Sequence, residues 1–160
     1  MRSLQTFRVS GKNSLNQWTR FRNPLKVAYN FVLISLSRYA PSLALKRFLL
    51  RMTGMKVGRD AAVGLMAMFD VFYPEMIELG ENCIIGYNAT VLAHEFLKDE
   101  MRIGKTIIGK GAMVGANATV LAGVEVGAGA LVSAACLVDG GVPAGAFVKG
   151  NPMQVLKRAE

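Results

Sequence analysis

The stretch Ile108–Pro143, IGKGAMVGANATVLAGVEVGAGALVSAACLVDGGVP, decides the fold because one kind of residue returns at every sixth position. The recurring β-branched residues are Ile108, Val114, Val120, Val126, Val132 and Val138. The residues four places after them are Ala112, Ala118, Val124, Ala130, Cys136 and Val142. A period of six fits neither a helix nor the alternation of a strand, and it is typical of a repeat architecture. One such unit cannot bury its own apolar face, so we expect short strands stacked into a coil with a narrow core.

The same rhythm begins earlier in the chain and is interrupted twice. It runs through Val57, Val63 and Phe69, breaks at Pro74–Glu78, and resumes at Leu79, Ile85 and Val91. The rhythm is then lost until Ile108, because the gap of seventeen residues from Val91 is not a multiple of six. We therefore predict a charged excursion at about 94–106. The expected organisation is a basic, helical N-terminal arm at 1–56 and a coil domain at 57–160, with a tail from 144.

Charge divides the chain at nearly the same place. The 160 residues have a net charge of +8, but residues 1–59 hold twelve Lys or Arg and no acid. The remainder holds seven basic and eleven acidic residues, a net of −4, so the two parts are expected to have different roles. The two cysteines, Cys83 and Cys136, fall at small inward positions and are expected to be core residues in a reducing cytosol.

The arm contains apolar residues from Pro24 to Met52 that predict one or two helices, with a break at Pro41. Its longest uncharged run, Val27–Ser37, is far shorter than the roughly 20 residues of a membrane span. No small-residue cleavage site follows, so a signal peptide is not expected, and a transit peptide fits poorly. The arm either packs on the coil or a neighbouring subunit, or docks on anionic lipid through residues 20–52. Its aromatic residues are not interleaved with base-reading residues, so nucleic acid is not an expected partner.

Several motifs together carry a resemblance to a known family. They are the repeats, His94 directly before the charged excursion, the segment Ile103–Lys105, and the ending Val148–Pro152. From about Val57 to Arg158 the chain resembles the hexapeptide-repeat acyltransferases, and among them the maltose, galactoside and xenobiotic O-acetyltransferase group. The resemblance implies a left-handed parallel β-helix, assembled as a homotrimer, with acetyl-CoA bound between neighbouring subunits. The predicted fold is therefore mainly β, and an N-terminal α-helical arm and a short C-terminal helix are added to the β-helix.

Acetyl transfer to an alcohol needs a base, and His94 is the only histidine in the chain. An imidazole with a pKa near 6.5 can take the hydroxyl proton and give it to the departing thiolate. Its other nitrogen must be held, and the candidates are Asp70, one coil earlier, and the adjacent Glu95. Asp70 could instead bind the acceptor hydroxyl, and Tyr87 could line the acceptor site. A covalent route through either inward-pointing cysteine is disfavoured, and one histidine argues against the zinc carbonic anhydrases on this coil, so no metal is expected.

The resemblance also places the donor. It implies that Ala116 and Ala134 lie along the pantetheine arm, and that the adenine and phosphate end lies near Lys149, Asn151, Lys157 and Arg158. Two residue patterns depart from the family. The chain has Asp139–Gly141 where the family often has Thr-Lys-Asp, so the usual phosphate-binding lysine is missing. Either Lys149 or Lys110 replaces it, or CoA binds more weakly. The aromatic residue often found at Met113 is also absent.

The residues ahead of the histidine are apolar where sugar acetyltransferases have polar ones: Leu65, Met66, Met68, Val71 and Phe72. This wall either packs the arm or a partner chain, or suits a hydrophobic or membrane-borne acceptor. The sequence thus predicts a cytoplasmic enzyme, or one peripheral at the inner face of the membrane, that transfers acetyl from acetyl-CoA to a hydroxyl. The alternatives are N-acetylation of an amine or antibiotic, and a non-catalytic β-helix scaffold that binds a partner or membrane.

Overall fold

The structure is a computed structural model that describes residues 2–156. Its centre is a coil with three faces, each a parallel sheet of very short strands. The first face contains β2 (Lys56–Val57), β5 (Ile77–Leu79), β10 (Thr106–Ile108) and β13 (Glu125–Val126). The second contains β3 (Ala62–Val63), β6 (Ile84–Ile85), β11 (Met113–Val114), β14 (Leu131–Val132) and β16 (Phe147–Lys149). The third contains β4 (Met68–Phe69), β7 (Thr90–Val91), β12 (Thr119–Val120) and β15 (Leu137–Val138).

The core of the coil consists of the residues that define the six-residue period. The six β-branched residues from Ile108 to Val138 are at most 2% exposed, and the six residues four places later are at most 4% exposed. The coils are also stacked closely at their corners. A Cβ atom on Gly86 would lie 2.6 Å from the backbone nitrogen of Ala116, and one on Gly115 would lie 2.5 Å from that of Ala134. The predicted repeat coil is therefore confirmed, and glycine at these corners allows neighbouring backbones to touch.

The arm forms two helices that cover the first coil. A 3-10 helix (Ser14–Arg20) precedes α1 (Pro24–Tyr39), and α2 (Leu43–Met52) follows after the predicted break at Pro41. Asn23 and Ser42 cap the helices by accepting hydrogen bonds from backbone N–H groups of the first turns. The buried ammonium of Lys46 donates to the carbonyls of Ser37 (2.6 Å) and Gly64 (3.2 Å), which ties the end of α1 to the coil. Burial lowers the pKa of Lys46.

Neither of the two α-helices, nor any other helix within residues 2–156, combines the length and the apolar character that crossing a bilayer requires.

The predicted excursion is an antiparallel hairpin of β8 (His94–Phe96) and β9 (Glu100–Ile103). The N-terminal residues are part of the same sheet, because β1 (Gln5–Arg8) pairs antiparallel with β9. The chain reaches this position by crossing the coil, where a Cβ atom on either Gly104 or Gly123 would lie 2.5 Å from the carbonyl oxygen of Ser3. The start of the arm is therefore a strand fixed on the coil domain.

The C-terminal end differs from the prediction in two respects. Val148 is fully buried on β16, six residues after Val142, so the coil continues to Lys149 and the tail does not begin at 144. After a turn, β17 (Gln154–Leu156) pairs antiparallel with β16, so the predicted short C-terminal helix is wrong over these residues. Without β17 the outer edge of β16 would leave backbone groups unpaired, and the returning strand satisfies them. The predicted donor residues Lys157 and Arg158 lie outside the described residues.

Candidate active site

His94 is the first residue of β8, where the chain leaves the third face of the coil. Its side chain is 13% exposed, and its Nδ1 lies 2.5 Å from Oδ2 of Asp70. Three aromatic rings surround the imidazole: Phe72 at 4.7 Å, Phe96 at 4.8 Å and Tyr73 at 5.9 Å between ring centroids. The carboxylate holds Nδ1, so Nε2 is the nitrogen that remains for chemistry.

Asp70 directly follows β4, one coil before His94, and is 2% exposed. Its Oδ1 accepts hydrogen bonds from the backbone N–H groups of Phe72 and Tyr73, both at 2.9 Å. Its Oδ2 accepts from the N–H groups of Ala93 and His94, both at 2.8 Å, in addition to the imidazole. Burial by itself would raise the pKa of Asp70, but His94 and the backbone donors outweigh it and hold the pKa below its usual value. Asp70 is thus an immobilised anion against the imidazole.

Glu95 does not share this position. Its carboxylate forms an ion pair with the guanidinium of Arg2, and both side chains are largely buried. Neighbouring residues of a strand point to opposite sides, so Glu95 diverges from His94. Of the two carboxylates that the sequence proposes as partners of the imidazole, the structure brings Asp70 to it. Arg2 carries no sequence signal, because its position depends on the pairing of β1 with β9.

Five aromatic side chains form a connected cluster that reaches the imidazole through Phe72 and Phe96, and we call it the aromatic roof: Phe72, Phe96, Phe21, Trp18 and Phe7. Phe21 lies 6.5 Å from Phe96 and 6.2 Å from Phe7, and Trp18 lies 5.5 Å from Phe72. Three of these five side chains come from the N-terminal segment, where the sequence shows only scattered aromatic residues. No fixed spacing links them to His94, so sequence reasoning misses the roof. It supplies an apolar environment around the His94 and Asp70 pair.

The apolar wall ahead of the histidine is in contact with the arm. The backbone N–H of Met66 donates to the carbonyl of Arg38 at 2.9 Å, and the side chain of Asn30 donates to the carbonyl of Val71, also at 2.9 Å. Met68, Val71 and Phe72 are partly buried against the core, whereas Leu65 is 50% exposed. The segment that forms the wall is therefore tied to α1 by hydrogen bonds at Met66 and Val71.

Tyr87, Ala116 and Ala134 occupy one corner of the coil, between the second and third faces, on successive coils. The N–H of Asn117 donates to the carbonyl of Tyr87 at 2.9 Å, and the N–H of Ala135 donates to the carbonyl of Ala116 at 2.8 Å. Lys149 and Asn151 are exposed where β16 reaches the same corner. We call these five residues the corner ladder. His94 lies at the other end of the third face, so within one chain the corner ladder and the imidazole are separated.

The remaining predicted groups lie elsewhere. Lys110 lies at the corner between the first and second faces, with its Nζ 3.0 Å from a carboxylate oxygen of Glu81. Both cysteines are buried; burial raises the pKa of Cys83 to about 11 and also raises the pKa of Cys136. Across residues 2–156, His, Cys, Asp and Glu side chains form no cluster of three that could hold a metal ion.

Comparison with known proteins agrees with this architecture. A family profile described as "Hexapeptide repeat of succinyl-transferase" matches residues 105–142. The chain is 48% identical over 163 residues to "Putative acetyltransferase YvoF" of Bacillus subtilis (strain 168), covering 100% of this chain and 94% of that protein.

Two solved structures show the same fold at 18% identity. A maltose O-acetyltransferase from Clostridium difficile 630 superposes with a TM-score of 0.67, covering 86% of this chain and 90% of that chain. The acetyltransferase VCA0836 from Vibrio cholerae O1 biovar eltor, in complex with acetyl-CoA, gives 0.62, with 83% and 86% coverage. The fold is therefore the left-handed parallel β-helix. The chain belongs to the family of hexapeptide-repeat acyltransferases.

Proposed function

We propose that the protein transfers the acetyl group of acetyl-CoA to a hydroxyl acceptor by direct attack, with His94 as general base. Nε2 of His94 takes the acceptor's proton as the acceptor oxygen forms a bond to the thioester carbonyl carbon. The C–S bond then breaks, and the imidazolium gives its proton to the CoA thiolate. The observation that carries this proposal is the fixed contact between His94 and Asp70 beside an exit from the coil.

Asp70 is the positioning residue in this mechanism. Because its carboxylate accepts at Nδ1, it favours the imidazole tautomer with the proton on Nδ1 and a lone pair on Nε2. The same anion stabilises the imidazolium that forms when the hydroxyl proton is taken, as the aspartate of a serine-protease triad does. The buried carboxylate faces the imidazole, which favours this role over acceptor binding.

The donor is proposed to lie along the corner ladder. The small side chains of Ala116 and Ala134 leave room for the pantetheine arm, and exposed Lys149 supplies a cation for phosphate. Lys149 is favoured over Lys110, because Lys110 lies at another corner and is paired with Glu81. The ladder and His94 lie at opposite ends of one face. A complete site therefore needs the ladder of a neighbouring subunit, which fits a cytoplasmic homotrimer with three sites.

The acceptor is proposed to be an alcohol. A hydroxyl has a pKa far above neutral and needs the base that His94 and Asp70 provide. Tyr87, 56% exposed, is a proposed lining residue of the acceptor site, because the ladder that contains it is supplied to the site by a neighbouring subunit.

Titration with acetyl-CoA tests the proposal. At an acetyl-CoA concentration 100 times its dissociation constant, thermal denaturation is expected to show that the ligand stabilises the folded protein by about 2.7 kcal/mol. A panel of alcohols and amines is then incubated with the protein and acetyl-CoA, and the products are identified by mass spectrometry. Ester products are expected. Amide products would instead show N-acetylation. If acetyl-CoA did not bind and no product formed, the protein would be a non-catalytic β-helix scaffold.

A further inference from the structure

The outward side of α1 is apolar along its whole length. The helix buries Asn30, Leu33, Ile34 and Ser37 against the protein. On the opposite side it exposes large apolar residues: Leu25 (80%), Tyr29 (43%), Phe31 (56%), Val32 (54%), Leu36 (55%) and Tyr39 (64%). Next to it, α2 exposes Leu45, Phe48 and Met52. We call these nine residues the outer arm face. A helix that is apolar on both sides is normally covered on both, so this face requires a partner.

The arm that bears this face carries positive charge that is only partly paired with carboxylates of the chain. Of the twelve Lys and Arg residues at positions 1–59, four lie within 4.0 Å of a carboxylate: Arg2, Arg22, Lys56 and Arg59. Within the described residues, five others between positions 20 and 52 are not completely buried and have no carboxylate at that distance: Arg20, Lys26, Arg38, Arg47 and Arg51. The partner should therefore combine an apolar layer with a high density of negative charge.

A second copy of this chain meets that requirement poorly. Two outer arm faces placed together would bring like charges together, which is unfavourable. The coil of a neighbour offers few carboxylates, because five glutamates are already paired within the chain: Glu75, Glu78, Glu81, Glu95 and Glu100. The surface of an anionic bilayer offers many negative charges beside an apolar layer. We propose that the outer arm face docks on a bilayer containing anionic phospholipid, with α1 lying in the plane of the interface.

Vesicle sedimentation of the full chain tests this inference. Val32 on α1 and Val155 on β17 are both 54% exposed. The arm packs on the first coil, which contains β3, and β3 and β17 lie at opposite edges of the second face. Val32→Glu and Val155→Glu therefore make the same change at opposite ends of the molecule. Vesicles of phosphatidylcholine alone are compared with vesicles that also contain phosphatidylglycerol.

Wild type and Val155→Glu are expected to pellet with the anionic vesicles and not with the neutral ones, and salt should weaken the binding. Val32→Glu should bind more than about tenfold more weakly, because it removes an apolar contact and adds a repelled charge. Phe48→Glu on α2 is a second variant judged by the same criterion. The proposal fails if wild type does not pellet with anionic vesicles, or if Val32→Glu and Val155→Glu bind equally. It also fails if light scattering shows that Val32→Glu changes the oligomeric state, which would make the face a subunit contact.

Discussion

Replacing Asp70 by Asn changes the site with little change in volume. In the wild-type protein Oδ2 accepts from the N–H groups of Ala93 and His94 and from Nδ1 of the imidazole. If Oδ1 of Asn keeps the bonds to Phe72 and Tyr73, its NH₂ group faces those three positions. Nδ1 must then act as an acceptor, so the imidazole proton moves to Nε2. The nitrogen proposed as base would carry a proton and could not take another.

The magnitudes follow from these contacts. Loss of the general base is expected to lower kcat by about 10²–10⁴-fold, with the affinity for acetyl-CoA retained. Two buried backbone N–H groups lose their acceptor, which costs about 1–3 kcal/mol each in the free energy of unfolding. In the wild-type protein the pKa of Asp70 lies below its ordinary value of 3.8, so the unfolded chain binds more protons there. Stability from Asp70 is therefore present above pH 3.8 and is lost as the pH falls through the folded-state pKa. The Asn variant lacks this part of the acid dependence.

The assay follows release of the CoA thiol with an accepted alcohol, across pH. Asp99→Asn is the matched control, because Asp99 is an exposed carboxylate in the turn of the same hairpin. The control should keep the wild-type rate and pH profile. A kcat for Asp70→Asn close to that of the control, with an unaltered pH profile, would refute the reasoning.

Two further predictions concern the segments around the site. Gly123→Ala should destabilise the protein by about 1–3 kcal/mol more than Gly129→Ala in thermal denaturation. Both glycines have a positive φ, +75° and +65°, but only at Gly123 would the new Cβ meet the backbone of Ser3. Equal losses would show that the N-terminal crossing is not tight. Glu95→Gln breaks the pair with Arg2, and we expect kcat to fall by less than about threefold, because the Glu95 side chain points away from the imidazole. The main loss should be in the free energy of unfolding, because both side chains of the pair are largely buried. A fall in kcat as large as that of Asp70→Asn would show that Glu95 takes part in catalysis.

The coil and its core could be predicted because they depend on local periodicity. Every inward position from Ile108 to Val142 is buried, since a residue six places later occupies the equivalent site on the next face. The proximity of Asp70 and His94 also follows from the repeat. Phe69 pairs with Val91 on the third face, so the residues that follow each of them leave the coil at neighbouring points.

The features that could not be predicted depend on contacts between segments far apart in sequence. The pairing of Thr6 with Arg102 holds the N-terminal segment beside the hairpin, where Phe21 lies against Phe96, and no period in the sequence encodes it. The close crossing at Gly104 and Gly123 gives no signal either, because glycines recur throughout the repeats. At the C-terminal end, Val148 continues the six-residue rhythm, but the helix expected beyond it is replaced by a strand that pairs with β16.

The most direct test of the proposed mechanism is the turnover of His94→Ala with acetyl-CoA and an accepted alcohol. The proposed chemistry predicts that kcat falls by about 10²–10⁴-fold. Calorimetry should meanwhile show that acetyl-CoA binds the variant about as tightly as it binds the wild-type protein. Turnover close to the wild-type rate would contradict the assignment of His94 as the general base.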